Sequence, residues 1–226
     1  MIYILIAVVL FGALTMMVAR QGDNSESGAM DNERAEIAAA QIIQTSMQLK
    51  QGIDMMLYSG SERDPNTPDD DLVFTTPDDE PAFSTPPNGH KVFHPAGGGL
   101  ILQPIPPQAI EQVSTNPPAR WYVGRFINVE WTNTAAQEVI LTAHQISEPV
   151  CRAINQKLLG NPAPLTAIVN PRTILIDGSV YSSTNPVDWT TSNCPDCEGK
   201  IAGCLVGPSE VPGRNVYSFY SIVLSR

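Results

Sequence analysis

Residues 1–19 read MIYILIAVVLFGALTMMVA and contain no charged side chain, with Tyr3 and Thr15 the only polar ones. Wound as a helix at 1.5 Å per residue they cover roughly 28 Å, close to the ~30 Å of a bilayer's hydrocarbon core. The chain as a whole is different in character: 226 residues, net charge −10, 42% hydrophobic, 16% charged, with 20 prolines. That apolar content is enough for a packed core, which excludes wholesale disorder. The length allows one or two domains. The 13 Lys and Arg are scattered singly, so the clustered positive charge that binds phosphate backbones is missing and nucleic acid is not an expected partner. An apolar helix joined to a polar, acidic domain is the first expectation.

The apolar segment does not read as a secretory signal. Such a signal needs a basic n-region and a shorter apolar run, and here no base precedes Arg20. A membrane anchor would also carry Lys or Arg ahead of the span. The expectation is therefore a basic leader removed just before Met1. Next, Arg20–Met30 (RQGDNSESGAM) holds Gly22 and Gly28 with Asp, Asn and Ser between them, residues that favour turns and caps. A break in the helix near 20–30 is expected. Helical periodicity resumes at Asp31 or Asn32, with Ala35, Ala39, Ile42, Leu49, Ile53 and Met56 on one stripe and Ser46 inside it. This predicts an amphipathic helix over 31–58, stopped at Gly60 and laid against a C-terminal sheet.

Residues 61–80 hold eight acids against the single base Arg63, and twelve of the prolines lie between 61 and 120. Proline at that density disfavours helix and central strand, so 61–119 is expected to be a long acidic surface loop. The oxygens of Asp64, Asn66, Asp69, Asp70 and Asp71 suit calcium in kind, but their spacing lacks the glycine turn of an EF-hand. A solvated loop is the better account. His90 and His94 sit in a Pro/Gly context that favours extended chain, where they lie about 13 Å apart, too far to share a zinc ion. Gly97-Gly98-Gly99 lacks the Lys-Ser/Thr of a phosphate loop and reads as a turn.

From Arg120 the pattern turns to β. Trp121–Trp131 and Glu138–Ala143 read as a hairpin about Thr132–Ala135, Arg172–Ile176 and Val216–Leu224 as further strands, and 147–159 as a short helix with Pro149 in its first turn and Gly160 after it. Four cysteines in an exported domain imply disulfides. Of three possible pairings the expected one is Cys151–Cys194 with Cys197–Cys204. Cys194-Pro195-Asp196-Cys197 is a CxxC, but no helical period follows it, against a redox motif, and no second CxxC completes a four-thiolate zinc site. No nucleophile–base–acid set is visible among three histidines, so neither an enzyme nor a cofactor is expected.

An exposed apolar N-terminus, a second helix continuing it and a C-terminal domain holding the cysteines: in this order of parts the chain resembles the type IV pilins and pseudopilins, with residues 1–58 carrying the likeness. The resemblance implies an α+β fold: a long N-terminal apolar helix with a break near 20–30, a second amphipathic helix, and a C-terminal antiparallel β domain with disulfides. Its parts would be 1–30 for assembly or membrane insertion, 31–60 amphipathic helix, 61–119 loop region and 120–226 globular domain. It further implies a homopolymeric surface filament, an inner-membrane pool before assembly, and prepilin peptidase and pilus assembly machinery as partners. Met1, Ile2, Leu5, Val9 and Leu10 would form the assembly core. Family members usually carry Phe and Glu where this chain has Met1 and Leu5, so pairing of a fifth-position carboxylate with a neighbour's ammonium is not available. A single-pass anchored periplasmic domain or a minor pseudopilin is the alternative.

Overall fold

The computed structural model describes residues 2–60, 72–77, 79–134, 137–177 and 187–225, with side chains described from Asp31 onward, Phe126 excepted. A single helix, α1, runs from Ile2 to Ser59. The expected break near 20–30 is absent. Gly22 and Gly28 each cost about 1 kcal/mol relative to alanine in a helix interior, too little to end a helix that good helix formers continue on both sides. Asp31 and Asn32 are accordingly helix-interior residues, not caps. The helix does stop where Gly60 predicts: its φ of +71° is the left-handed conformation that terminates helices and that a side chain would disfavour. Among the described residues no helix is long and apolar enough to cross a membrane.

The predicted stripe is the buried one. Ala35, Ala39, Ile42, Leu49, Ile53 and Met56 are all buried, with Ser46 among them. They lie on a six-stranded sheet in the order β3-β5-β6-β2-β1-β4, formed by β1 (Trp121–Val129), β2 (Glu138–Ile146), β3 (Leu165–Thr166), β4 (Val187–Trp189), β5 (Ala202–Pro208) and β6 (Asn215–Leu224). The hairpin β1–β2 and the strand β6 stand where the sequence places them, and β6 pairs with β2 rather than with β1. The sheet is mixed, which corrects the expected antiparallel domain: β4 runs parallel to β1, and β3 parallel to β5. Long connections bring both short edge strands back in the same direction as their neighbours, a geometry that no tight hairpin can make.

Helix α2 (Glu148–Leu159) lies on the α1 side of the sheet, and α3 (Pro171–Leu175) on the other. The strand expected over 172–176 is therefore a helix. Asn170 caps it, its side-chain oxygen accepting from the Arg172 amide, and Pro171 occupies the first turn. An Asn-Pro pair is a helix-start signal that outweighs five residues of β propensity. In β2, Val139, Leu141 and Ala143 join clusters with α1 while Ile140 joins the α3 side, the two-residue alternation of a strand covered on both faces. The acidic loop expected over 61–119 is only partly open to test, since 61–71 lies outside the described residues. Beyond them the chain is not merely a surface loop: Leu72, Phe74, Val92 and Phe93 are buried against Leu49, Ile53 and Met56 of α1.

Candidate functional site

The residues expected to form an assembly core, Met1, Ile2, Leu5, Val9 and Leu10, lie outside the residues whose side chains are described, as do the calcium candidates Asp64, Asn66, Asp69, Asp70 and Asp71. What the described residues define is the platform that carries α1. Two disulfides tie it, and they correct the expected pairing: Cys151 bonds Cys204, and Cys194 bonds Cys197, each with Cα atoms 5.3 Å apart. The reason is topological. Cys151 and Cys204 belong to the cluster between α1, α2 and the sheet, whereas Cys194 and Cys197 belong to the cluster around Trp189 on the opposite face. A Cys151–Cys194 bond would have to pass through the sheet. Cys151–Cys204 fastens α2 to β5 across 53 residues of chain, worth about 4 kcal/mol in the chain-entropy picture. Cys194–Cys197 closes a single 3-10 turn and both of its sulfurs are buried, away from any exchange partner.

Helix α2 is docked by a second device. The Tyr217 hydroxyl of β6 donates to the Glu148 carboxylate at 2.8 Å, and Arg152 pairs with the same carboxylate at 2.7 Å. Burial and the adjacent carboxylate push the Tyr217 phenol up to about 12, while the Arg152 and Tyr217 bonds hold Glu148 below its ordinary range.

Three buried polar groups that the sequence did not single out hold the irregular chain. Lys91, 4% exposed, donates its ammonium to the carbonyls of Ala82 at 2.7 Å, Phe83 at 2.9 Å and Thr85, and to Asn88 Oδ1 at 2.8 Å. An internal cation thus organises a loop of neutral oxygens in the way a bound metal would. Gln145 sits at a bulge in β2 with φ +59°, a left-handed conformation rare outside glycine. Its side chain accepts from the Val113 and Ser114 amides and donates to the carbonyls of Ser114 and Pro117. Glu138, wholly buried, accepts from the Val129 amide and from the hydroxyls of Thr132 and Thr134, which locks the β1–β2 turn. The only foresight available in the sequence was the turn itself; a Lys or Gln whose partners are backbone carbonyls leaves no spacing to recognise.

One arrangement has the look of chemistry. His144 Nδ1 lies 2.9 Å from Ser218 Oγ, both side chains buried, with Tyr122 edge-on to the imidazole and Arg172 nearby. Burial, and secondarily the Arg172 cation, push the imidazole down to about 4, so it is neutral at pH 7. Arg172 is itself held by Asp177 at 3.0 Å and by Glu210. The cavity that His144 lines with Arg172 and Glu210 measures about 10 Å3, space for a water and not for a substrate. The pair acts as a cross-strand hydrogen bond between β2 and β6. His90 and His94 do not converge: His90 is buried, and His94 turns its Nδ1 to the Ala96 amide and its ring to Phe83.

The buried polar groups of Lys91, Gln145, Glu138 and His144 hold loops and strands in place. Set against protein families, curated proteins and solved structures, the chain matches none of them.

Proposed function

We propose that this protein is the structural subunit of an extracellular type IV pilus-like filament, assembled through the apolar start of α1, and that it works by assembly and not by turnover. The observation that carries this reading is the joining of two features in one helix. The first nineteen residues hold no charge, and the same helix continues into a stripe seated on a disulfide-fastened sheet. An uncharged helical surface of that size is costly to leave in water at about 25 cal/mol per Å2, and identical neighbours shelter it as well as lipid does. Small residues such as Ala7, Gly12 and Ala13 permit close helix approach. On this reading Met1, Ile2, Leu5, Val9 and Leu10 meet their counterparts in adjacent subunits. The chain waits at the inner membrane, is matured by a prepilin peptidase and is drawn into the polymer by pilus assembly machinery. Leu5 replaces the usual carboxylate, so registration rests on side-chain packing.

Electron microscopy of sheared surface material, with mass spectrometry of the fibres, tests this. Thin filaments containing the chain are expected, and Leu5→Asp is expected to abolish them while the monomer persists. Material made solely of detergent-dependent monomers would replace the proposal with an anchored periplasmic domain.

A further inference from the structure

Beside α1 runs a groove of about 620 Å3, closed on its other side by residues 103–108. Gln41, Gln44 and Gln48 of the helix face Gln103 and Gln108 across it, with Trp121 also in the lining. A second hollow of about 380 Å3 shares Thr45, Gln48 and Gln103 with the first and extends it along the helix toward Leu49. Among the described residues no ionisable side chain lines either hollow, in a chain whose net charge is −10.

Three properties of this groove point to one kind of ligand. All five glutamines are exposed, and among the described residues none of their amide groups is committed to a protein hydrogen bond. Each supplies two donors and a carbonyl acceptor at a fixed separation, a match to neighbouring hydroxyl groups, which also donate and accept. Trp121 has already spent its indole N–H on the Gln103 carbonyl at 2.7 Å, so what it has left is apolar ring. A ring beside a row of amides suits a molecule with C–H faces and hydroxyl edges. The wall is rigid: Pro104, Pro106 and Pro107 restrict the backbone, and Ile105 and Ala109 anchor it in the core.

Helix geometry adds a spacing argument. Gln41, Gln44 and Gln48 stand on successive turns, each turn advancing about 5.4 Å, roughly one pyranose unit of an extended glycan. A charged ligand would find no counter-charge among the described lining residues. A purely apolar one would strip water from five amides without replacing their hydrogen bonds, at about 1–3 kcal/mol for each group left unpaired. We infer that the groove binds a short neutral oligosaccharide, with the glutamines reading its hydroxyls and Trp121 packing on a sugar ring. The site is complete within one chain, so it stands independently of filament assembly.

The test is a glycan array probed with the oxidised full-length chain, carrying neutral, sialylated and sulfated glycans together with a panel of extended peptides, followed by calorimetry on the best neutral hit. Binding to neutral glycans that is insensitive to added salt is expected. The double variant Gln44→Ala/Gln48→Ala keeps α1 intact, since alanine is the better helix former, and is expected to bind at least ~10-fold more weakly with unchanged thermal unfolding. Gln103→Ala, on the opposite wall, is expected to weaken binding in the same direction. Failure of every neutral glycan to bind overturns the inference. So does full retention of binding in both variants, a preference for charged glycans that salt abolishes, or selection of peptides instead of sugars. None of these results bears on whether filaments form.

Discussion

The two faces of the sheet are held by different means. On the α1 side a long helix supplies an aliphatic stripe, and the Cys151–Cys204 bond closes a span of 53 residues. On the α3 side the helix is five residues long, and among aliphatic neighbours Trp189 meets Trp131 and Tyr220 edge-on with centroids 5.1 and 4.7 Å away. The disulfide there closes only a turn. The lesson is that one face depends on elements distant in sequence, so a long-range crosslink and buried polar pins matter most to it. The other is assembled from short elements and loops around Trp189, whose indole N–H has no partner among the described residues.

The strongest test of this contrast is to remove each bridge in turn. Cys151→Ala/Cys204→Ala is expected to lower unfolding free energy by about 4 kcal/mol in a denaturant titration of the oxidised chain. Equal losses from this variant and from Cys194→Ala/Cys197→Ala would erase the distinction between the faces. Somewhat smaller is the effect of Lys91→Met, expected to cost about 3 kcal/mol, because the charge-assisted bonds from one ammonium to several loop carbonyls are lost together. Its mark is local: amide exchange of residues 82–92 should speed up before the α3 side responds, and a uniform increase over both faces would contradict the role assigned to Lys91.

The α3 side carries a pH dependence through His144. Its folded pKa, pushed down to about 4, lies below the ordinary 6.5, so the unfolded chain binds more protons between those values. The associated stability is present above pH 6.5 and lost as pH falls toward 4, an effect of about 3 kcal/mol at most. His144→Gln is expected to flatten the slope of stability against pH over that window, and an unaltered slope would assign it to carboxylates instead. Smallest is Cys194→Ala/Cys197→Ala, about 2 kcal/mol, because so short a loop holds little chain entropy to remove.

Much of the α1 side was legible in the residues. Apolar positions at helical spacing named the buried stripe, Gly60 and Gly160 marked the ends of α1 and α2, and Pro149 was rightly allowed in a first turn. Local steric rules govern those features, and local rules survive folding. The helix across 20–30 was not legible, since turn-favouring residues state a preference of only about 1 kcal/mol each. Nor was α3, where β-prone residues followed a capping Asn-Pro pair. The groove beside α1 was not legible: nothing in the spacing announced that Gln103 and Gln108 would face Gln41, Gln44 and Gln48.

By itself, then, the order of residues determined which stripe of α1 is covered, where two helices stop and which strands form a hairpin. Those outcomes depend on backbone conformation and on side-chain period within a few residues. Tertiary structure alone decided which cysteines meet, that the edge strands run parallel to their neighbours, and that Lys91 and Gln145 are swallowed by loops they organise. The physical reason is common to all three. A sheet divides its surroundings into two sides, and the side on which a residue falls is settled by contacts far away along the chain.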